Sequence, residues 1–483
     1  MAPRVLLRAA ALCSLSRDAL LPPPRDASTA PARATQQDWA DGARGLACLF
    51  VYLYHIGSAA TATAGYWVRK ATDGAGIAPS FLQIFPVRLV WAGPAAVFFF
   101  FTLSGYALSL RTMSLIHSGA APERAYSSVA SAAIRRYPRL FVPVAVSIAF
   151  IYVLTLLHAF PYAAEYGFKH VPPLTSFTHF LVMVPRVFAF HDVSYEYNDS
   201  LWTMPHEISG SFKVFLLQLV LVPIRLPFHV PMLVMFIAYG LLLEQNIYYI
   251  NFAAGVLVAV LYVRRTQSEP ARMQDFESAD LELEKEEVAL SRIFLRSITG
   301  LKIMRAIWST LVAWHYNLCI IFGLYLASFP VDAPSAINVR LYHWLSASGW
   351  GGHLVHHHWK HGKYKEDILT VVWNSLGSML ILYGLALTRT KCLHIFLSIR
   401  PFKFLGDISF ALYIYHYPIF ISLGGILAHA FQGALNISAQ AAIFIASFFV
   451  LLVLFVWSWF VTRTVDSWAI KLAKQIDMFV RSS

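Results

Sequence analysis

Charge is what this 483-residue sequence has least of. Asp, Glu, Lys and Arg together make up 13% of it, against about 25% in soluble globular domains. Hydrophobic residues reach 58% and aromatics 15%, with a mean hydropathy of +0.57. That deficit excludes a soluble globular domain, a disordered chain and a collagen-like repeat, and it places most of the chain in lipid. Cysteine is nearly as scarce: Cys13, Cys48, Cys319 and Cys392 lie far apart with no CxxC pair, which excludes a disulfide frame and a thiolate zinc site. No GxxxxGK[ST] phosphate loop, Rossmann fingerprint or internal repeat occurs, so nothing points to nucleotide hydrolysis or dinucleotide redox chemistry.

What is present is a series of long apolar runs. A transmembrane helix needs about 20 mainly apolar residues. Nine runs qualify: 45–64, 90–110, 140–159, 229–244, 247–264, 309–329, 368–388, 407–429 and 439–462. Two more are ambiguous, because 175–190 contains Pro185-Arg186 and 206–222 contains Glu207 and Lys213. The expected fold is therefore all-α, a polytopic transmembrane helix bundle of about ten spans. The domain organisation that follows is a tail over 1–38, a membrane domain over 39–462 interrupted by a charged loop at 265–308, and a tail over 463–483.

Sidedness follows from the excess of Lys and Arg over Asp and Glu, 38 against 26. If 206–222 crosses and 175–190 does not, 28 of the basic residues fall on the side of both termini and nine on the other, which makes the first side cytoplasmic. The net charge of +12 is then a topology signal, and no nucleic-acid partner is expected. Two Asn-x-Ser sequons, at Asn198 and Asn436, fall on the luminal side and are candidate glycosylation sites. The Arg-rich first 38 residues fit a cytoplasmic tail better than a mitochondrial presequence, so an endomembrane of the endoplasmic-reticulum type is the expected location.

Ionisable residues inside spans are costly, and each is a functional candidate by default. Arg44 and His55 are eleven residues apart in the first span, about 16 Å along a helix. Arg44 then sits at the cytoplasmic boundary and His55 near mid-membrane. Arg135-Arg136-Tyr-Pro-Arg139 precedes the third span at the same boundary. Alone, the arginines read as positive-inside anchors and the histidine as a packing residue. Together they form rigid phosphate-binding forks with an imidazole deeper in the membrane, a spacing that suits the anionic head, slender arm and terminal thioester of coenzyme A. Trp202 and Glu207 open the 206–222 run, where Glu207 serves as a dipole-favoured helix start, as a group that orients an imidazole or as one that binds an acceptor hydroxyl. Ser409 and His416 face inward from the 407–429 run, toward the same cavity or a neighbouring helix. Ser104-Gly105 reads as a close-packing site rather than a nucleophile. The histidines at 353, 356, 357, 358 and 361 lack a supporting carboxylate or thiol pattern, so no metal is expected.

Taken in order, these motifs resemble the acyltransferase-3 family of integral membrane O-acyltransferases. The correspondence runs through Asp41-Gly-Ala-Arg44-Gly-Leu-Ala to His55, Phe98 to Gly105, Arg136-x-x-Arg139, Leu201-Trp202-Thr203 to Glu207, and Gly406 to His416, covering residues 38 to about 462. Ala43 stands where Leu is usual, and Pro205-His206 is atypical before the Glu. The resemblance implies an acyl-CoA donor, usually acetyl-CoA, acting as co-substrate with no permanently bound cofactor. It implies a hydroxyl acceptor on a sugar, lipid or other small molecule. It also implies that His55 and Glu207 are catalytic, that Arg44, Arg136 and Arg139 hold the donor, and that Trp202, Ser409 and His416 line the substrate cavity. A core without an appended hydrolase-like domain is more like stand-alone fungal members of secondary metabolism, with polyketides or terpenoids among the acceptors.

The expected mechanism is direct transfer in a ternary complex, in which neutral His55, oriented by Glu207, deprotonates the acceptor hydroxyl as it attacks the thioester. An acyl-enzyme on Ser104 or Ser409 is the alternative chemistry. From a different class, a proton-coupled transporter using His55, Glu207 and His416 is the runner-up, disfavoured by the missing repeat and the one-sided arginines.

Overall fold

The structure, a computed structural model, describes residues 38–60, 85–163, 165, 181–182, 198–242, 248–267, 314–329, 368–388 and 390–481. Among these every regular element is helical: α1 (Asp38–Ala60), α2 (Gly93–His117), α3 (Pro122–Leu156), α4 (Thr203–Leu221), α5 (Leu226–Leu242), α6 (248–267) and α7 (Trp314–Ala327). They continue with α8 (Ile368–Leu387), α9 (Lys391–Leu397), α10 (Arg400–Ile419), α11 (Gly425–Leu435), α12 (Ala439–Val461) and α13 (Ser467–Arg481). Single π turns, Phe420–Gly424 and Thr462–Asp466, join α10 to α11 and α12 to α13.

A helical membrane bundle is thus what the apolar runs form. Among the described residues five helices are long and apolar enough to cross a bilayer: Gly93–His117, Pro122–Leu156, Thr370–Leu387, Arg400–Leu435 and Ala439–Arg481. Leu226–Gly240 and Trp314–Ala327 are apolar but shorter. The 206–222 run falls on α4, whose 19 residues include Glu207 and Lys213. Apart from residues 181–182, the 175–190 segment lies outside the described residues, as do the first 37 residues, most of the 265–308 loop and the histidines of 353–361.

Two seams of glycine set the geometry of the centre. Gly45 on α1 and Gly406 on α10 face each other so closely that a Cβ on Gly45 would lie 2.4 Å from the Gly406 nitrogen, and one on Gly406 would lie 2.2 Å from the Asp41 carbonyl oxygen. Hydrocarbon gives helices no reason to exclude lipid from one another, so close backbone approach through small residues is the main route to tight packing. On the other side of α2, a Cβ on Gly105 would meet the Phe252 carbonyl oxygen of α6 at 2.1 Å. Beside this second seam Thr102 donates to Asn251 Oδ1 at 3.0 Å, and Asn251 Nδ2 donates to Ser375 Oγ at 2.5 Å, tying α2, α6 and α8 together. Gly406→Ala should therefore cost about 1–3 kcal/mol, the usual penalty of overpacking. Thermal unfolding in detergent measures it, and an unchanged melting temperature would mean that the two backbones are not in contact.

Two helices are longer than any bilayer requires. At 35 residues α3 extends about 52 Å, and its charges gather before Leu140. The continuous Ala439–Arg481 segment is longer still. Their extensions pack against each other: Ser131 Oγ donates to Asp477 Oδ2 at 2.5 Å, Arg135 lies 3.7 Å from the same carboxylate oxygen, and Arg481 donates to Ser127 Oγ at 2.5 Å. Residues 467–481 are accordingly a docked helix that steadies the arginine-bearing part of α3.

Candidate active site

The glycine seam carries the first functional side chain to its partners. With α1 and α10 in backbone contact, Arg44 reaches across and donates to Ser409 Oγ at 3.0 Å and to the Gly406 carbonyl at 3.1 Å, while Asp41 one turn earlier accepts at 2.8 Å. Its side chain stays 43% exposed. Eleven residues make just over three full turns, so His55 follows Arg44 along the same side of α1.

The second group is built between α2, α3 and α4. Arg136 pairs with Glu207, and the Arg136 fork also donates to Ser104 Oγ at 3.1 Å and to Ser211 Oγ at 2.9 Å. Ser104 in turn donates to Glu207 Oε1 at 2.6 Å. Both charged side chains are only 14% exposed, so this is a buried, hydrogen-bonded ion pair. Arg139, one turn further, is exposed and makes no hydrogen bond among the described residues. Arg136, Arg44 and Arg135 add positive charge around it, and Asp466 opposes it.

These groups surround one cavity of about 910 Å³, at the upper end of the 300–1,000 Å³ typical of small-molecule sites. Arg44, Ser104, Arg136, Arg139, Glu207 and Ser409 all line it, joined by Arg463 and Asp466 from the π turn after α12. On α2 the lining runs from Leu108 to Val97, about 16 Å along the helix axis. On α10 it takes in Phe404, the run Gly406 to Phe410, and Tyr413.

Here the geometry corrects the expectation of a single chamber. His55 and His416 are not in the cavity lining. They lie one turn beyond Tyr413, with His416 buried, ring centroids 5.1 Å apart, and the Tyr413 ring 5.8 Å from His416. His55 is half-buried against the rings of Tyr54, His416 and Tyr417, and it makes no hydrogen bond among the described residues. Glu207 does not orient it, because that carboxylate is taken by Arg136 and Ser104. Trp202 is also outside the lining: with His206, four residues on, it faces the aromatic cluster around Tyr248, whereas Thr203 and Glu207 form the stripe that faces the cavity. Of the three residues assigned to the substrate cavity, Ser409 alone lines it.

The sequons also separate. Asn198 is fully buried, with its Nδ2 donating to the Ile414 carbonyl at 2.7 Å and its Oδ1 accepting from the Ser200 amide at 3.1 Å, so it has no room for a glycan. Asn436 is exposed in the left-handed conformation that ends α11.

Sequence reasoning read Ser104 as a packing residue or, alternatively, an acyl-enzyme nucleophile, and missed it as a partner of the Arg136–Glu207 pair. It also missed Arg463 and Asp466, because charges just past an apolar run read as membrane flanks. The signal for the pair is the π turn, which inserts one extra residue per turn and re-aims the helix face near functional sites, but it is visible only in the fold.

A helical membrane bundle with a guanidinium-lined, partly apolar cavity at one end is the class that fold and site define together. The acyltransferase domain family matches residues 37–462, and the chain belongs to that family. Over 120 residues, 25% of this chain, it is 32% identical to O-acetyltransferase PaAT-1 of Phomopsis amygdali, and the match spans 23% of that relative's length. No solved structure matches the chain.

Proposed function

We propose that this acyltransferase moves an acyl group, acetyl in the first instance, from acyl-CoA to a hydroxyl of a small molecule such as a polyketide, a terpenoid or a sugar. The observation that carries the reading is the cavity itself: an Arg139 with no hydrogen bond among the described residues and a half-exposed Arg44 at one end, and a passage about 16 Å long ending one helical turn from a pair of imidazoles. The donor's phosphates sit among Arg44, Arg139 and Arg463, and its arm runs along α2 and α10 toward Tyr413. The Tyr413 ring is the partition that the thioester end must pass to meet the acceptor at His55.

Transfer is direct. The acceptor oxygen forms its bond to the thioester carbonyl carbon, His55 takes the hydroxyl proton, and the carbon–sulfur bond breaks to leave CoA, which regains the proton as a thiol. An acyl-enzyme fits less well. The Ser409 hydroxyl is spent on the Gly406 carbonyl at 2.8 Å, and Ser104 faces a carboxylate already paired to Arg136. The protein sits in an endomembrane with about ten spans and both termini in the cytoplasm, so the guanidinium end opens where acyl-CoA is found.

Purified protein given radiolabelled acetyl-CoA and extract of a deletion strain should label a compound that the deletion strain has left unacylated. Neither CoA release nor any change in the metabolite profile would end the proposal, and saturable solute flux without CoA binding would replace it with a transporter. Arg139→Ala should raise the KM for acyl-CoA roughly tenfold to a hundredfold, since hydrogen bonds to charged groups are worth about 1.5–3 kcal/mol, with little change in kcat or melting temperature. Any N-glycan belongs on Asn436: Asn436→Gln should abolish the endoglycosidase-sensitive mobility shift, and Asn198→Gln should leave it in place.

A further inference from the structure

The buried histidine beside His55 has a definite protonation pattern. His416 Nδ1 lies 2.7 Å from the Tyr413 carbonyl oxygen. A carbonyl oxygen only accepts, so Nδ1 carries the hydrogen. In the neutral ring Nε2 is then a bare acceptor, and it is buried with no hydrogen-bond partner among the described residues. A buried polar atom without a partner is uncommon in a native protein and calls for a reason. Most of what surrounds this ring offers Nε2 nothing: Tyr52, 6.4 Å away in an edge-on arrangement, has its hydroxyl committed to the Ser447 carbonyl at 2.7 Å. The ring closest to His416 is His55, with centroids 5.1 Å apart and planes tilted by 45°.

We infer that His416 is a positioning residue for His55: its bare Nε2 accepts an N–H from the His55 ring and so fixes which nitrogen of His55 keeps a free lone pair. At that centroid separation a nitrogen of each ring comes within hydrogen-bond reach when both point along the line between the rings. The Tyr413 carbonyl, His416 and His55 then form a relay of orientation in which each group sets the tautomer of the next. A carboxylate does this for the histidine of a Ser-His-Asp triad, and here a neutral imidazole takes that place. No proton passes to His416; it accepts one hydrogen bond throughout, while the other His55 nitrogen faces the acceptor hydroxyl. The cause of the pairing lies in α10. His416 continues the stripe Gly406, Ser409, Tyr413 by one more turn, just as His55 continues the stripe begun by Arg44 on α1, so the seam that places Arg44 on Ser409 places His55 on His416.

This inference rests on the reading of His55 as the base, and two measurements separate the two. Nitrogen-15 spectra of histidine-labelled protein in detergent need no turnover. His416 should show the Nδ1–H tautomer and His55 a single tautomer that becomes a mixture in His416→Met. An Nε2–H tautomer at His416, or a His55 signal unaffected by His416→Met, overturns the pairing whatever the reaction is. In the acyl-transfer assay His416→Met should lower kcat about 10- to 100-fold, the scale on which groups that orient a histidine act, with the KM for acyl-CoA unchanged. His416→Gln, which keeps an acceptor oxygen, should recover most of that loss. In the double variant His55→Ala/His416→Met the rate should match His55→Ala alone; losses that multiply would show two independent roles. If His416→Met does not fold, the Gln variant and the wild-type spectrum still decide the matter. A wild type with the expected tautomers but no acyl transfer would refute the function and leave the pair intact.

Discussion

His55→Ala is expected to lower acyl transfer by about 10²–10⁴-fold, the contribution of a positioned general base, while costing only about 1–2 kcal/mol of stability. The second half follows from the contacts. His55 makes no hydrogen bond among the described residues, so what its removal costs is edge and face packing against Tyr54, His416 and Tyr417 and, with the inferred pairing, one hydrogen bond to His416 Nε2. Such aromatic pairs are worth about 0.5–1.5 kcal/mol each, and His55 is only partly buried. Rate and melting temperature measured on the same preparation separate chemistry from packing. A variant that melts like the wild type and still transfers acyl groups at a tenth of its rate or better would remove His55 from the mechanism.

Glu207→Ala should behave in the opposite way. Removing one partner of a buried ion pair leaves the other charge desolvated and unpaired, which costs about 3–5 kcal/mol. Arg136 and Glu207 are both only 14% exposed, and two serines complete their hydrogen bonds, so this pair meets that description. The variant should lose yield and melt well below the wild type. Replacing both residues by apolar ones of similar volume, Arg136→Met with Glu207→Leu, should return most of the stability. Loss of activity with wild-type melting in Glu207→Ala would restore Glu207 to the direct catalytic role expected from the motif alone.

How much could be read without the fold is clearest where one motif splits between two faces. Leu201-Trp202-Thr203 to Glu207 is contiguous in sequence, and a helix turns 100° per residue, so its members diverge. Thr203 and Glu207 go to the cavity, and Trp202 and His206 go to the aromatic cluster with Tyr248. In the Asp41 to Ala47 motif, by contrast, spacing was enough to place the functional residue. Arg44 projects from a helix whose glycines face α10, so the residue types that allow the close approach and the one that uses it are neighbours. Charge was the least readable property. Arg136, Arg139 and Arg463 are indistinguishable as basic flanks, yet among the described residues Arg136 forms a close ion pair with Glu207 of another helix, whereas Arg139 and Arg463 line the cavity without one.

From its order of residues alone, this chain had to be a helical membrane protein. Backbone hydrogen bonds in lipid are met within helices or closed barrels, and continuous apolar runs of about 20 residues, unlike the alternating pattern of barrel strands, select helices. Its motifs likewise sufficed to suggest acyl transfer. Which polar groups meet depended on how the helices cross, since a contact between residues hundreds of positions apart depends on helix rotation and depth, quantities that no local pattern encodes. The crossing of α1 and α10 brought Arg44 to Ser409 and His55 to His416, and the crossing of α3 and α4 took Glu207 away from the imidazole and gave it to Arg136.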